Sequence, residues 1–217
     1  MQKMTTFLAV WVLLTLMVAG CKPGVSGLVS ELSYLAPLEK RIPAGEELPG
    51  VPIRYVGLSD KGAEVLIAGE RAFKQKGDSL DWHGSPAEGV ELALSLRALW
   101  YTEETLYMGG TTKMIVYEPD PRPGPITTSP MEYHAPVVYV LSQGDCIPGT
   151  TIEYLGKTEK GAKLGGVEGY SYRKLGDSIV WEGQLRDNVF LRLNVRSLFI
   201  AEDSLNVGGT ATIWVVP

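Results

Sequence analysis

An internal repeat is the sequence feature that most restricts the fold of this 217-residue chain. Between Pro49 and Val116 the chain matches itself without a gap when it is shifted by 99 residues. The matched positions are turn glycines, tryptophans and arginines: Pro49-Gly50 with Pro148-Gly149, Lys61-Gly62-Ala63 with Lys160-Gly161-Ala162, Gly77-Asp78-Ser79 with Gly176-Asp177-Ser178, Trp82 with Trp181, Gly84 with Gly183, Arg97 with Arg196, and Gly109-Gly110-Thr111 with Gly208-Gly209-Thr210. A fixed offset over so many positions indicates a duplicated unit. The sequence therefore predicts two tandem copies of one small domain.

The repeat also predicts the domain boundaries. We expect copy 1 over 38–118 and copy 2 over 137–217, each opening with a strand. Residues 119–136 contain six prolines, which favour an extended, semi-rigid linker. Residues 21–37 precede the first copy and carry apolar residues at helical spacing, so we expect either a short helix or a tether there.

Within each copy the apolar residues recur with a period of two. Val90, Leu92, Leu94 and Leu96 alternate with more polar residues, and the segment 189–196 repeats the pattern. This alternation is typical of a half-buried β-strand, and Gly-containing turn signals separate five or six such strands per copy. The predicted fold class is therefore all-β, with two tandem, internally duplicated antiparallel β-sandwich or β-barrel domains. Trp82 and Trp181 are predicted to be core residues.

The N-terminus has the pattern of an export signal. Lys3 precedes an apolar run over 7–18, and this run is too short to span a bilayer comfortably. Leu16-Met17-Val18-Ala19-Gly20-Cys21 resembles the lipobox of bacterial lipoprotein precursors. The resemblance implies a signal peptide over 1–20, cleavage before Cys21, and fatty acyl chains such as palmitate on that residue. The alternative is an ordinary secreted protein that has a cysteine at its cleavage site.

Charge and cysteine content exclude several classes of protein. The chain has 20 Lys+Arg and 25 Asp+Glu, a net charge of -5, so we expect no nucleic-acid partner. Only two cysteines are present. If Cys21 is acylated, no second cysteine remains to form a disulfide with Cys146, so a disulfide scaffold is excluded. Cys146 is then expected to be a passive small apolar residue.

No catalytic motif, metal motif or cofactor motif is visible in the sequence, so we predict a protein that is not an enzyme and needs no cofactor. His134 falls in the linker, and His83 corresponds to Glu182 in the other copy. Several acidic positions occur in both copies and could be read as Ca²⁺ ligands, although turn residues are the favoured interpretation. These are Asp60/Glu159, Asp78/Asp177, Glu88/Asp187, Glu103/Glu202 and Glu104/Asp203.

Five residues are candidates for ligand binding. Arg97 and Arg196 are shared by both copies, with structural pairing as the default reading and ligand recognition as the alternative. Trp100, Tyr101 and Tyr107 become Phe199, Ile200 and Asn206 in copy 2, so an aromatic platform for a sugar or peptide would be specific to copy 1.

The sequence thus predicts a non-catalytic lipoprotein, exported and anchored to the membrane surface of a bacterial cell envelope through Cys21. It would act as a structural spacer or as a binding module for an envelope protein or a glycan. The alternative is an envelope hydrolase or a Ca-dependent binding protein with a carboxylate site between the two copies.

Overall fold

The computed structural model describes residues 30–217, and the strands there are all antiparallel. Within this range the chain is built from strands and turns, so the all-β prediction is confirmed. No helix in this described part has the length and hydropathy needed to cross a membrane. The strands are β1 (Glu31–Pro43), β2 (Ile53–Ser59), β3 (Gly62–Ile67), β4 (Glu70–Lys74), β5 (Trp82–Ala87), β6 (Val90–Tyr101), β7 (Thr105–Tyr117), β8 (Arg122–Pro123), β9 (Met131–Ser142), β10 (Glu153–Thr158), β11 (Gly161–Gly165), β12 (Tyr172–Arg173), β13 (Ser178–Arg186), β14 (Val189–Ile200) and β15 (Ser204–Val215).

The strands form four open sheets. Strands β1 to β7, here called copy 1, form one sheet of order β1-β7-β6-β5 and a second of order β2-β3-β4. Strands β9 to β15, here called copy 2, form the sheets β9-β15-β14-β13 and β10-β11-β12, and β8 adds to the outer side of β13. Every one of these sheets has two edges, so the barrel alternative is wrong for the described residues.

The long strands follow from the period-two pattern. In β6 every second residue from Val90 to Ala98 is buried, and β14 repeats this burial. Equivalent glycines in the two copies let neighbouring long strands lie close together. A Cβ at Gly110 would overlap the Ser95 carbonyl, and one at Gly209 would overlap the Asn194 carbonyl. The shared glycines therefore keep neighbouring backbones in contact in both copies.

Two segments differ from the sequence-based boundaries. Residues 31–37, predicted as tether or helix, form the first half of β1, and residues 131–136, predicted as linker, form the first half of β9. Pro37 and Pro136 obscured both strands in the sequence. They are tolerated because β1 and β9 are edge strands, where a missing N–H does not interrupt a ladder on both sides. The rest of the predicted tether and helix, residues 21–29, lies outside the described residues.

The remaining linker lies along copy 2. Arg122 and Pro123 pair with Gln184 and Gly183 as β8. On either side of this pairing, the Asp120 N–H donates to the Leu185 carbonyl at 2.8 Å and the Gly124 N–H donates to the Glu182 carbonyl at 3.2 Å. The linker is extended, as predicted, and it is also the edge strand of a sheet.

A single hydrophobic core contains buried residues of both copies. The contact between copies is reciprocal: a Cβ at Gly149 would meet the side chains of Leu32 and Tyr34, and one at Gly50 would meet Met131, the counterpart of Leu32. Burial, with a contribution from Tyr139, raises the pKa of Tyr34 far above its ordinary range. The two copies therefore pack on each other and are not held apart by the linker.

The two repeat tryptophans have different surroundings. Trp181 is 5% exposed and its Nε1 donates to Thr151 Oγ1 at 3.1 Å. Trp82 packs against the core but is only half-buried. Its copy has Pro52 at the position of Thr151, so that hydroxyl acceptor is lacking. The prediction of a core residue is confirmed for Trp181, whereas Trp82 lies at the margin of the core.

Candidate functional site

A row of large side chains crosses the outer face of copy 1. Arg41 on β1, Tyr107 on β7 and Trp100 on β6 are successive cross-strand partners. Partners in adjacent antiparallel strands project from the same face of a sheet. Trp100 is 59% exposed and Tyr107 is 42% exposed, so both rings face solvent. We call these three residues the aromatic row.

Local strand geometry explains why the row points outward. Leu106 and Met108 are buried, so the alternation of β7 directs Tyr107 to the opposite face. In β6 the register shifts between Ala98 and Trp100, leaving Leu99 in a bulge. Leu99 is exposed and lies over Gly109, which has no side chain to compete for that space. The bulge thereby adds an aliphatic residue to the aromatic row.

Three cationic side chains lie in or beside the aromatic row. The Lys76 ammonium lies 5.7 Å from the centroid of the Trp100 ring, a cation–π geometry. In the next register row, Glu39 and Arg97 both pair with Gly109, on either side of it. Arg41, Arg97, Lys76 and Glu39 are thus in or beside the row, and the turn between β6 and β7 carries Glu103 and Glu104.

The structure separates Tyr101 from the other two predicted aromatic residues. Tyr101 packs against the core, and its hydroxyl donates to Gln75 Oε1 at 3.2 Å. It pairs with Leu106, a fully buried residue. Of the predicted aromatic set, only Trp100 and Tyr107 lie together on the exposed face.

Arg97 and Arg196 have the same structural contact. Arg97 Nη1 donates to the Gly77 carbonyl at 2.8 Å, and Arg196 Nη1 donates to the Gly176 carbonyl at 2.9 Å. Each guanidinium thus closes the turn that precedes β5 or β13. The structural reading is therefore supported for both residues, although Arg97 also lies beside the aromatic row.

The corresponding positions in copy 2 are mainly apolar and include a single aromatic ring, that of Phe199. Asn206 stands at the position of Tyr107, with Val140 and Phe199 as its cross-strand partners. Val138 and Leu198 extend this exposed apolar surface on either side of Gly208. Sequence reasoning did not find the valines, because in the run 137–141 apolar residues occupy both faces of the strand and the period-two signal is lost.

One of the shared acidic pairs, Asp78 and Asp177, closes equivalent turns in the two copies. Asp78 Oδ2 accepts from the Gln75 N–H at 2.7 Å, and Asp177 Oδ2 accepts from the Lys174 N–H at 2.6 Å. Glu202 lies 3.4 Å from Lys157 Nζ. Among residues 30–217 no group of three His, Cys, Asp or Glu side chains has the geometry to hold a metal ion.

Two open clefts lie where equivalent turns of the copies meet. The large cleft, of about 520 Å³, is lined by Ala87, Glu88, Thr127, Asp187, Asn188, Phe190, Val216 and Pro217. The small cleft, of about 360 Å³, is lined by Glu88, Glu118, Asp120, Arg122, Leu185, Arg186, Asp187 and Asn188. Three charged side chains of the small cleft are already engaged, since Asp120 Oδ2 is 2.6 Å from Arg122 Nη2 and Arg186 Nη1 donates to the Tyr117 carbonyl at 2.7 Å.

The two cysteines are far apart in the chain, and only one lies in the described part. Cys21, the predicted lipidation site, lies outside the described residues. Cys146 is exposed, and its backbone forms an isolated antiparallel β-bridge with Glu153, the first residue of β10.

The chain matches no known protein family, no curated protein and no solved structure. The aromatic row is therefore the starting point for a proposal about function.

Proposed function

We propose that this protein is a non-catalytic, lipid-anchored binding protein of the bacterial cell envelope, and that the outer face of copy 1 binds an anionic glycan. The observation that carries the proposal is the aromatic row, in which exposed Trp100 and Tyr107 lie side by side among cations. Large aromatic side chains left in water on a rigid sheet mark an interaction surface.

The chemistry of the row suits an acidic sugar. The faces of Trp and Tyr rings offer apolar surface and negative electrostatic potential to the C–H groups of a sugar ring. Arg41, Arg97 and Lys76 would pair with carboxylate or other anionic substituents on the same polymer, since charge-assisted hydrogen bonds are about twice as strong as neutral ones. A neutral glycan would use the rings alone and bind more weakly.

Membrane attachment through Cys21 is the second part of the proposal. The support is the sequence pattern at 16–21. Acyl chains on Cys21 would each contribute about 0.8 kcal/mol per buried CH₂, and two or more chains give stable anchoring. The aromatic row would then be presented to polymer at the membrane surface.

Binding to a soluble polyuronate tests the first part. The full chain in detergent is titrated with the polyuronate and, separately, with a neutral polymer of similar length. We expect Trp100→Ala to weaken polyuronate binding by about tenfold or more, because central aromatic residues dominate such contacts. Phe199→Ala is the matched control at the same position of copy 2 and should bind like the wild type. Equal losses in both variants, or no binding by the wild type, would contradict the proposal.

Fractionation tests the anchor separately. Cys21→Ala should move the protein out of the membrane fraction or leave a longer precursor, whereas Cys146→Ala should fractionate like the wild type. Mass spectrometry that finds an unmodified Cys21 thiol in the mature protein would rule the anchor out.

A further inference from the structure

The turn that carries Lys76 has the same backbone hydrogen bonds in both copies. In copy 1 the Asp78 N–H donates to the Gln75 carbonyl at 3.0 Å, and the Gly77 N–H donates to a carbonyl of β6 at 2.7 Å. In copy 2 the corresponding bonds of residues 174–177 measure 3.1 and 2.7 Å. Any difference between the two turns therefore comes from their side chains.

A side-chain link between this turn and the end of β6 is specific to copy 1. The Tyr101 hydroxyl donates to Gln75 Oε1 at 3.2 Å, and Gln75 Nε2 donates to the Lys61 carbonyl at 2.7 Å. Gln75 thus joins the end of β6 to the turn between β2 and β3. In copy 2 Lys174 stands at the position of Gln75 and Ile200 at that of Tyr101, so the hydroxyl donor is lacking.

A second tyrosine fixes the same end of copy 1. The Tyr55 hydroxyl donates to the carbonyl of Thr102, the residue that follows β6. Tyr154 is the counterpart of Tyr55 in copy 2, and within residues 30–217 its buried hydroxyl has no hydrogen-bond partner. Two tyrosine hydroxyls therefore hold this end in copy 1, and neither bond is repeated in the described part of copy 2.

The Tyr101–Gln75 bond joins the chain neighbours of a cation–π pair. Tyr101 directly follows Trp100, and Gln75 directly precedes Lys76. The Lys76 ammonium lies 5.7 Å from the centroid of the Trp100 ring. A lysine side chain has many rotamers, so fixing its backbone relative to the ring raises the fraction of time that the ammonium spends there. The link supplies this restraint.

The charges nearby give the position of the ammonium a consequence for binding. Glu39, Glu103 and Glu104 lie at the same end of copy 1. A freely moving ammonium would pair with these carboxylates as well as with a ligand. An ammonium held over Trp100 stays beside the ring surface that a sugar would contact, and it loses less conformational freedom when an anion binds.

We propose that Tyr101 is a positioning residue of this face: through Gln75 it holds Lys76 against Trp100, and Lys76 in that position selects an anionic ligand over a neutral one. The selection rests on the proposed function, whereas the positioning concerns the ligand-free protein. Tyr101 packs against the core and acts only through its neighbours. This role explains why Tyr101, although turned away from the aromatic row, differs between the copies together with Trp100 and Lys76.

NMR of the ligand-free full chain in detergent tests the positioning. The lysines are isotopically labelled at Cε, because protons over the face of an aromatic ring resonate upfield. The Lys76 signal, assigned by its loss in Lys76→Arg, should be displaced upfield in the wild type. Tyr101→Phe removes only a hydroxyl, and it should return this signal most of the way to the position of an exposed lysine.

Two controls separate positioning from general loosening of the fold. The Lys160 ammonium lies 5.3 Å from the centroid of the Tyr172 ring in copy 2, so its signal is an internal reference that should not move. Tyr55→Phe also removes one hydroxyl bond from this end of copy 1, but it leaves Gln75 linked and should leave the Lys76 signal in place. An unchanged Lys76 signal in Tyr101→Phe, or an equal change in Tyr55→Phe, would overturn the proposal.

Titrations with the polyuronate and with the neutral polymer test the selection. Tyr101→Phe should weaken polyuronate binding by about threefold to tenfold and leave binding of the neutral polymer unchanged. Lys76→Met should lose at least as much, and the double variant should bind like Lys76→Met alone because both changes act through one ammonium. Equal losses for the two polymers in Tyr101→Phe, or additive losses in the double variant, would overturn the proposal.

The two experiments let this proposal and the proposed function fail separately. A wild type that binds neither polymer would contradict the proposed function and, with it, the selection by Lys76. The positioning of Lys76 by Tyr101 would then stand or fall on the NMR result alone.

Discussion

Copies 1 and 2 share their strand order and differ most on their outer faces. The row of Arg41, Tyr107 and Trp100 in copy 1 corresponds to Val140, Asn206 and Phe199 in copy 2. The inner positions change less, because each inner residue packs against its own sheet and, for several residues, against the other copy. The comparison teaches that packing restrains one face of each sheet while the other face is available for a specialised surface.

The largest expected difference between the copies concerns the repeat tryptophans. Trp181→Ala removes a buried indole and the bond to Thr151, so we expect the free energy of unfolding to fall by about 3–5 kcal/mol. Trp82→Ala should cost less, because that ring is half-exposed and its copy has Pro52 where the other has Thr151. Urea denaturation of both variants measures the difference. Equal losses would show that the two sites are energetically alike in spite of their different exposure.

Alkaline pH should weaken the packing between the copies. Burial raises the pKa of Tyr133 and of Tyr139 to about 12, above the ordinary value of 10.0. Such groups contribute stability that is fully present below pH 10 and is lost as the pH rises towards 12, because only the unfolded state ionises easily there. A shift of about two units corresponds to roughly 3 kcal/mol per group. Tyr133→Phe should reduce this loss in denaturation experiments at pH 9 and pH 12. A wild-type stability that does not change over this interval would contradict the prediction.

Gly110 and Gly209, at equivalent positions of the two copies, are expected to be equally sensitive to substitution. A Cβ at Gly110 or at Gly209 would overlap a carbonyl oxygen of the neighbouring strand. We expect Gly110→Ala and Gly209→Ala each to destabilise the fold by about 1–3 kcal/mol, the usual cost of overpacking. Thermal and urea denaturation should give similar values for the two variants. Gly124→Ala is the control, because a Cβ at Gly124 would meet no neighbouring atom. Gly45→Ala would not serve, because Gly45 has φ +83°, a backbone conformation that alanine rarely adopts.

The smallest expected effect involves an outer-face carboxylate found only in copy 1. Hydrogen bonds from His83 and Tyr117 hold the pKa of Glu91 below its ordinary value of 4.5. A lowered pKa means that the contribution to stability is present above pH 4.5 and is lost as the pH falls through the folded-state pKa. NMR titration should show the low pKa in the wild type and a rise in His83→Ala. Phe190 occupies the corresponding position in copy 2, so no matching carboxyl titration is expected there.

The sequence predicted the strand class well because alternation and turn glycines are local signals. It missed the first halves of β1 and β9, since prolines and helical spacing concealed strand residues whose edge position only the tertiary structure defines. For the candidate site, the aromatic positions could be recognised as a difference between copies. Their division could not be predicted, because the bulge at Leu99 decides which side Trp100 and Tyr101 face, and a bulge depends on the partner strand.

The common core also has a consequence for the timing of synthesis. Leu32 and Tyr34 lie against residues around Gly149, which the ribosome adds more than one hundred residues later. At about 5–20 residues per second, copy 1 exists for roughly 5–20 s before its partner surface has been made. During that interval its apolar inter-copy face has only solvent or a chaperone to contact. The synthesis of copy 2 thus decides when the first strand can reach its native surroundings.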